Sequence, residues 1–302
     1  MKKITFFCLC MCLTLLLAAC GSKEPADSAG DSAPAQENGQ KIASLSIHIT
    51  NNLLALGIQP AGSVVGGKVG DFLPHVADQL KGTEKLGEAK DVNMEALLAL
   101  EPDLILVDKE FAGQDLSKYE DIAPVEVIDL DQGTWRDHLT QLGKLLDREK
   151  EASTFIQKYD QKAQQVKAEL PDTIQSGTAM AIRINAKELR VFTTARPLGP
   201  ILFDDLGLTP AKGIEELDSN EPYEVISQEV LPDFAADTIF VVVDAEDDAQ
   251  QSFKEIQKSA IWQGLKAVKQ DQVFVIKEQP WLDYSAVGNK MALDEAQSLL
   301  SK

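Results

Sequence analysis

Asn93-Met94-Glu95-Ala96-Leu97-Leu98-Ala99-Leu100-Glu101-Pro102-Asp103-Leu104-Ile105-Leu106-Val107 has a partner far downstream, Ser227-Gln228-Glu229-Val230-Leu231 leading to Asp237-Thr238-Ile239-Phe240-Val241. In each, a helix N-cap residue is followed two places on by a glutamate, and eight residues after that glutamate an aspartate opens an apolar strand. Asn and Ser both cap helices well, and an acid in the first turn is favoured by the helix dipole. A second pair accompanies the first. Asn51 to Leu56 carries a helical stripe that stops at Leu56-Gly57-Ile58-Gln59-Pro60, and Ile201-Leu202 leads to Leu206-Gly207-Leu208-Thr209-Pro210. Gly and Pro so placed end a helix and open a turn. Two grammars repeated in the same order predict two similar α/β lobes, each winding strand–helix crossovers about a mostly parallel sheet. Ile42 to Ile49, apolar and β-prone, is expected to be the first strand.

Between the lobes, Trp135 to Leu170 holds one glycine, Gly143, and no proline. Leu139, Leu142, Leu145 and Leu146, followed by Ala152, Phe155, Ile156, Tyr159 and Ala163, predict two helices, the second long and stopped by Pro171. A long helix makes a stiff spine, so the lobes should tilt only modestly about a ligand cleft between them. The expected organisation is an N-terminal lobe over 41–145, a linking helix over 146–171 and a C-terminal lobe over 172–302.

Upstream of the body, Lys2 and Lys3 precede an apolar run, Ile4 to Leu17, and then Leu17-Ala18-Ala19-Cys20-Gly21. A basic start, a short apolar stretch and small residues before a cut site read as a secretory signal over 1–19. The small residues ending in Cys resemble a bacterial lipobox, in which Cys20 is lipidated on sulfur and becomes the new N-terminus. An ordinary signal or an uncut anchor is the alternative, although the run is short against the about 20 residues of a spanning helix. Cys8, Cys10 and Cys12 lie inside the signal, so Cys20 is the only mature cysteine, which excludes an internal disulfide and thiolate chemistry. Segment 20–40, rich in Ser, Ala, Asp, Glu, Pro and Gly, reads as a flexible tether between lipid and body.

The chain carries 48 acidic against 29 basic side chains, a net charge of −19 over 302 residues. So acidic a surface repels nucleic acid and anionic lipid, so any anionic ligand must find a local basic pocket. No G-x-S-x-G and no H-E-x-x-H occurs. Gly62-Ser63-Val64-Val65-Gly66-Gly67-Lys68-Val69 nearly matches a phosphate loop, but Val69 replaces the hydroxyl residue that would hold magnesium. His48, His75 and His138 with a carboxylate could hold Zn²⁺ or Mn²⁺ across two lobes, yet all three fall in the first half and none forms an i, i+4 pair.

The basic residues cluster better. Arg183, Arg190 and Arg196, three of five arginines, fall within 14 residues. Met180 to Asn185 and Leu189 to Thr194 read as hairpin arms turning at Ala186-Lys187-Glu188. If Ile184 pairs with Leu189, Arg183 lies opposite Arg190, which is unfavourable unless an anion or a carboxylate sits between them; another register would leave two solvated arginines. Trp281 and Tyr284 follow the last strand, Val273 to Ile276, and either line a cleft or cover the edge of the core.

The lipobox, the repeated lobes, the spine, "LGPILFDDLGL", "YEVISQEVLPDFAADTIFVVV", "WQGLKAVKQDQVFVI" and the closing "WLDY" together resemble the iron-siderophore-binding lipoproteins of bacterial ABC importers, over about Lys41 to Lys302. The wider group also holds cobalamin and haem binders. The resemblance implies capture without catalysis by a monomer of helical-backbone, two-lobed fold. It would hold a ferric siderophore whose iron is ligated by the siderophore, so no protein metal ligand or cofactor is expected. By motif match the ligand would meet Arg183 and Trp281, with Arg196, Tyr284, Lys68 and His48 beside them. The family's two lobe-tip glutamates dock on arginine pockets of the permease, and Glu95 and Glu229 match them. Catecholate binders of the group carry several basic residues in the first lobe. Here Lys68 and Lys109 are the only near candidates, which tilts the expected ligand toward a hydroxamate or carboxylate type, with ferric citrate still open. A Zn²⁺/Mn²⁺ carrier and a surface-anchored hydrolase are the rivals.

Overall fold

The structure, a computed structural model, describes residues 39–113 and 116–300. The expected signal, Cys20 and nearly all of the tether lie outside the described residues. Strand β1 (Ile42–Ser44) is shorter than its apolar sequence suggests. The Ser44 hydroxyl bonds the Ser46 carbonyl, and helix α1 (Ile47–Ala55) begins at once. Ile49, Leu53 and Leu56 recur at helical spacing and are all buried, so the period of one helix face overrides β-propensity here.

The first sheet adds β2 (Gly62–Val65), β3 (Glu84–Glu88), β4 (Asp91–Val92), β5 (Leu104–Asp108) and β6 (Val125–Ile128), in the order β4-β3-β2-β1-β5-β6. Every pairing in it is parallel except that of β3 with β4. The second sheet is built from β7 (Thr178–Ile184), β8 (Leu189–Phe192), β9 (Thr209–Pro210), β10 (Tyr223–Ile226), β11 (Thr238–Val243) and β12 (Val273–Ile276), in the order β10-β8-β7-β11-β12, with β9 pairing β7. β7, β9, β11 and β12 run parallel, while β8 is antiparallel to both its neighbours.

The two lobes repeat one another bond for bond at several places. The Asp103 carboxylate accepts from the Lys41 N–H at 2.7 Å, and that of Asp237 from the Thr178 N–H at 2.9 Å, each tying the start of one parallel strand to its neighbour. Two residues earlier in each lobe, Glu101 and Ala235 take left-handed conformations, φ 49° and 48°. Gly57 and Gly207 have φ of 74° and 67°, and just beyond them Ala61 donates to Ile42 and Ala211 to Ala179. The repeated glutamates open unlike helices, however. Glu95 begins helix α2 (Met94–Leu100), capped by the Asn93 side chain, whereas Glu229 begins a 3₁₀ segment, Gln228–Phe234. Pro232 sits inside that segment and has no N–H for an α-helical bond.

Helices α3 (Trp135–Leu145) and α4 (Glu149–Glu169) form the spine. A capping box between Thr134 and Asp137 starts α3, and α4 ends at Leu170 before Pro171. Arg136 on α3 bonds Asp160 on α4 and Asp205 of the second lobe, and the Tyr159 hydroxyl donates to the same Asp205 at 2.7 Å. The last helix, α5 (Ala286–Leu300), follows the second sheet in sequence yet packs on α1, α3 and α4. One continuous apolar cluster therefore runs from α1 through the spine to Phe240, Trp281 and α5. The lobes are joined by packed surface as well as by chain.

Candidate functional site

The loops at the C-terminal ends of the two parallel sheets meet. Lys68, in the turn after β2, reaches across to Asp244, the residue after β11, at 3.2 Å, and to Glu246 at 3.1 Å. Arg183, next to last in β7, donates from Nε to Asp244 Oδ1 at 2.6 Å and from Nη2 to Glu278 Oε1 at 2.5 Å. Around these groups and the 185–188 turn lies an open recess of about 400 Å³ that includes Lys187 and Arg190 in its wall. The hairpin has the anticipated register, Ile184 on Leu189 and Arg183 on Arg190. The like charges are tolerated because each has a carboxylate of its own: Arg190 chelates Glu188 at 2.7 and 2.9 Å and stacks over Tyr223. Burial works to raise the Asp244 carboxyl, but Arg183 and Lys68 hold it below the ordinary carboxylate range. At Glu278 burial prevails over the attraction of Arg183, and its carboxyl is pushed up.

A second group of candidates lies deeper, where α1 meets the loop after β12. Asp283 is completely buried and receives His48 Nδ1 at 3.2 Å, His75 Nε2 at 2.9 Å and Asn51 Nδ2 at 2.7 Å from the first lobe. From its own loop it accepts the backbone N–H and the hydroxyl of Ser285. Burial alone would raise its carboxyl; the two imidazoles reverse that and hold it far below the usual value. Tyr284 lies against His48 with ring centroids 3.6 Å apart and planes tilted by 31°, and the guanidinium of Arg196, paired with Asp131, sits 4.3 Å from the centre of the Tyr284 ring. Burial pushes the Tyr284 phenol up.

Four of the expected ligand residues, Lys68, Arg183, Arg196 and Tyr284, thus lie at the junction of the lobes, and His48 lies beneath Tyr284. Trp281 does not join them. Its indole is 2% exposed, packs on Phe240 and donates Nε1–H to Glu295 of α5 at 3.2 Å, so it belongs to the core rather than to a ligand surface. Lys109 is engaged with Asp129 at 2.6 Å. His138 is buried, bonds the Gln132 carbonyl at 2.8 Å and has its imidazole pushed down by burial. It stays apart from His48 and His75. Among the described residues no group of three or more His, Cys, Asp or Glu is arranged to hold a metal ion. At the glycine-rich turn, a Cβ on Gly67 would meet the Glu88 carboxylate at 2.9 Å, and an acid in that position repels phosphate. Glu95 and Glu229 are both solvent-exposed. Asn93 donates its backbone N–H to the Leu86 carbonyl, midway along β3, and Ser227 follows directly on β10.

The acids Asp244, Glu278 and Asp283 escaped the sequence reading. Asp244 closes the apolar run Ile239–Val243 and Asp283 stands inside "WLDY", and an acid at the C-terminal end of a parallel strand is where such folds place ligand-side groups.

Comparison with known proteins bears on this geometry. The chain is 28% identical over 300 residues to the "Iron-uptake system-binding protein" of Bacillus subtilis (strain 168), covering 93% of this chain and 92% of that one. It is 29% identical over 290 residues to the same organism's "Iron(3+)-hydroxamate-binding protein FhuD", covering 90% of each. The crystal structure of Staphylococcus aureus SirA complexed with staphyloferrin B superposes with a TM-score of 0.76 at 26% identity, over 86% of this chain and 92% of that one. A family model described as periplasmic binding protein matches residues 42–280, from β1 through both sheets and the spine to the loop that carries Glu278. With two sheets opposed at their C-terminal ends across a helical spine, and that match over most of its length, the chain belongs to the periplasmic binding protein family.

Proposed function

We propose that this protein captures a ferric siderophore outside the cytoplasmic membrane and delivers it to an ABC importer. The observation that carries the reading is the recess where the lobes meet, at which Arg183 and Lys68 present guanidinium and ammonium donors. Planar guanidinium groups suit chelating oxygens, which they meet with charge-assisted hydrogen bonds. The iron travels inside its chelator. The names of the relatives, an iron(3+)-hydroxamate-binding protein and a staphyloferrin B complex, support an iron chelate as cargo. A hydroxamate or carboxylate chelate is the favoured type, held by Arg183, Lys68, Arg196 and Tyr284, with His48 positioning Tyr284. A zinc or manganese carrier is not favoured, since His48 and His75 are spent on Asp283 and His138 lies elsewhere. Nor is a hydrolase, for the family captures solutes and does not transform them.

The body works at the outer face of the membrane. Segment 1–19 acts as the signal, Cys20 as the lipid-bearing residue and 20–40 as the tether; no described helix is long and apolar enough to cross a bilayer. Cys20→Ala should release the protein from membranes or stall its processing, read by fractionation and immunoblot. A cleaved variant retained on membranes contradicts the lipid anchor. The function itself is tested by uptake of radiolabelled iron from ferric siderophores in cells with and without the protein. Uptake lost on deletion for one chelate class, and restored by the gene, is expected. Undiminished uptake of every class overturns the reading.

A further inference from the structure

The cations of the recess are all compensated or matched. Lys68 and Arg183 share Asp244, Lys68 adds Glu246, Arg183 adds Glu278, and Arg190 holds Glu188. With Lys187 included, four positive groups face four negative ones. Asp244 has little access to water. Its side chain is 4% exposed, its N–H is bonded to the Ile184 carbonyl and its carbonyl to Gln250. A multiply charged anion that drew Arg183 and Lys68 to itself would leave Asp244 buried and unpaired, which is strongly unfavourable. A neutral ligand makes no such demand. A guanidinium has five N–H groups, and Arg183 shows one Nε bond and one Nη2 bond to carboxylates, so further N–H groups can donate to ligand oxygens while both ion pairs persist. The net charge of −19 adds a long-range field of the same sign.

We propose that Asp244, Glu246 and Glu278 set the charge preference of the cleft, so that within the hydroxamate and carboxylate types it takes ferric chelates of about zero net charge and disfavours multiply anionic ones. This rests on the siderophore reading above and deepens it. Three singly charged hydroxamates cancel the charge of Fe³⁺, whereas a polycarboxylate chelator leaves a multiply charged anion. The protein's three carboxylates therefore act as a filter between ligand classes that share an octahedral oxygen shell.

The test is a calorimetric titration of the full mature protein with a neutral ferric trihydroxamate and a multiply anionic ferric polycarboxylate, at low and high salt. Wild type should bind the neutral chelate at least about tenfold more tightly, and salt should narrow the gap by screening the repulsion. Glu246→Gln/Glu278→Gln, which keeps size and removes two charges, should narrow it by about tenfold. A wild type that prefers the anion, a gap that salt does not move, or the same gap in a folded double variant overturns the filter. Should the variant not fold, the wild-type order and its salt response decide alone. A wild type that binds neither chelate, nor any other ferric chelate, overturns the siderophore reading and the filter with it. Binding of other ferric chelates in an order unrelated to their charge overturns the filter alone.

Discussion

Arg183 donates to carboxylates from two different strand ends, 61 and 95 residues away in sequence. Arg183→Ala should weaken ferric-siderophore binding by about 1.5–3 kcal/mol, the worth of a hydrogen bond to a charged group. Unchanged affinity by calorimetry would move Arg183 out of the site. Asp283 has another task, since every partner it takes from the first lobe, His48, His75 and Asn51, joins that lobe to the second. Its carboxyl is held below the ordinary value in the folded protein, so its stabilisation is full above the unfolded pKa of about 3.9 and is lost progressively as pH falls below that toward the lower folded value. Asp283→Ala should cost about 3–5 kcal/mol at neutral pH, because it strands buried partners. In urea unfolding the gap to wild type should shrink below about pH 4; a gap that stays constant from neutral to acid pH would contradict the assignment. Such contacts were not legible in the sequence. Nothing near Arg183 foretells Asp244 and Glu278, and Trp281 reads as a loop aromatic until Phe240 and Glu295 are seen to enclose it.

At the scale of elements, what depends on local spacing was legible. The Ile184–Leu189 register follows from a short turn between two apolar arms, and the two aspartates that open β5 and β11 follow from the repeat. What failed was a boundary. Ile42–Ile49 satisfies strand and helix patterns at once, and only the burial of Ile49, Leu53 and Leu56 together decides for a helix from Ile47. The repeated glutamates show the same division. Their place in a first helical turn was readable, but the 3₁₀ form around Glu229 arises from Pro232 and has no counterpart in α2. The Ser227 hydroxyl bonds the Glu229 carboxylate and lowers its pKa, so the acid is charged and presented at neutral pH. Glu95→Ala/Glu229→Ala should bind ferric siderophore like the wild type yet fail to support iron uptake. Both side chains are exposed and hold nothing of the packed core, so their loss leaves the body folded. Normal uptake, or affinity lost in step with uptake, would show that these residues do not dock a permease.

Over the whole molecule, rigidity comes from sharing. Helix α4 spans 21 residues, about 31 Å at 1.5 Å per residue, and Arg136 and Tyr159 bind the spine to Asp205 of the second lobe. Helix α5 returns from the second sheet to pack on α1, and the Ala286 N–H donates to Asn52 at 2.8 Å, so the end of the chain braces the start of the body. Large lobe closure would have to break this common core, which leaves the recess open to solvent and preformed. Ligand capture should therefore proceed with small rearrangement, through exchange of water for chelate oxygens at Arg183 and its neighbours. The most direct measurement is an isothermal titration of the mature protein with ferric siderophores, with their iron-free forms, and with Zn²⁺ and Mn²⁺. The account predicts saturable one-to-one binding of at least one ferric siderophore, much weaker binding of its iron-free form, and no site for either free metal. Tight binding of Zn²⁺ or Mn²⁺ with no ferric siderophore bound would contradict it.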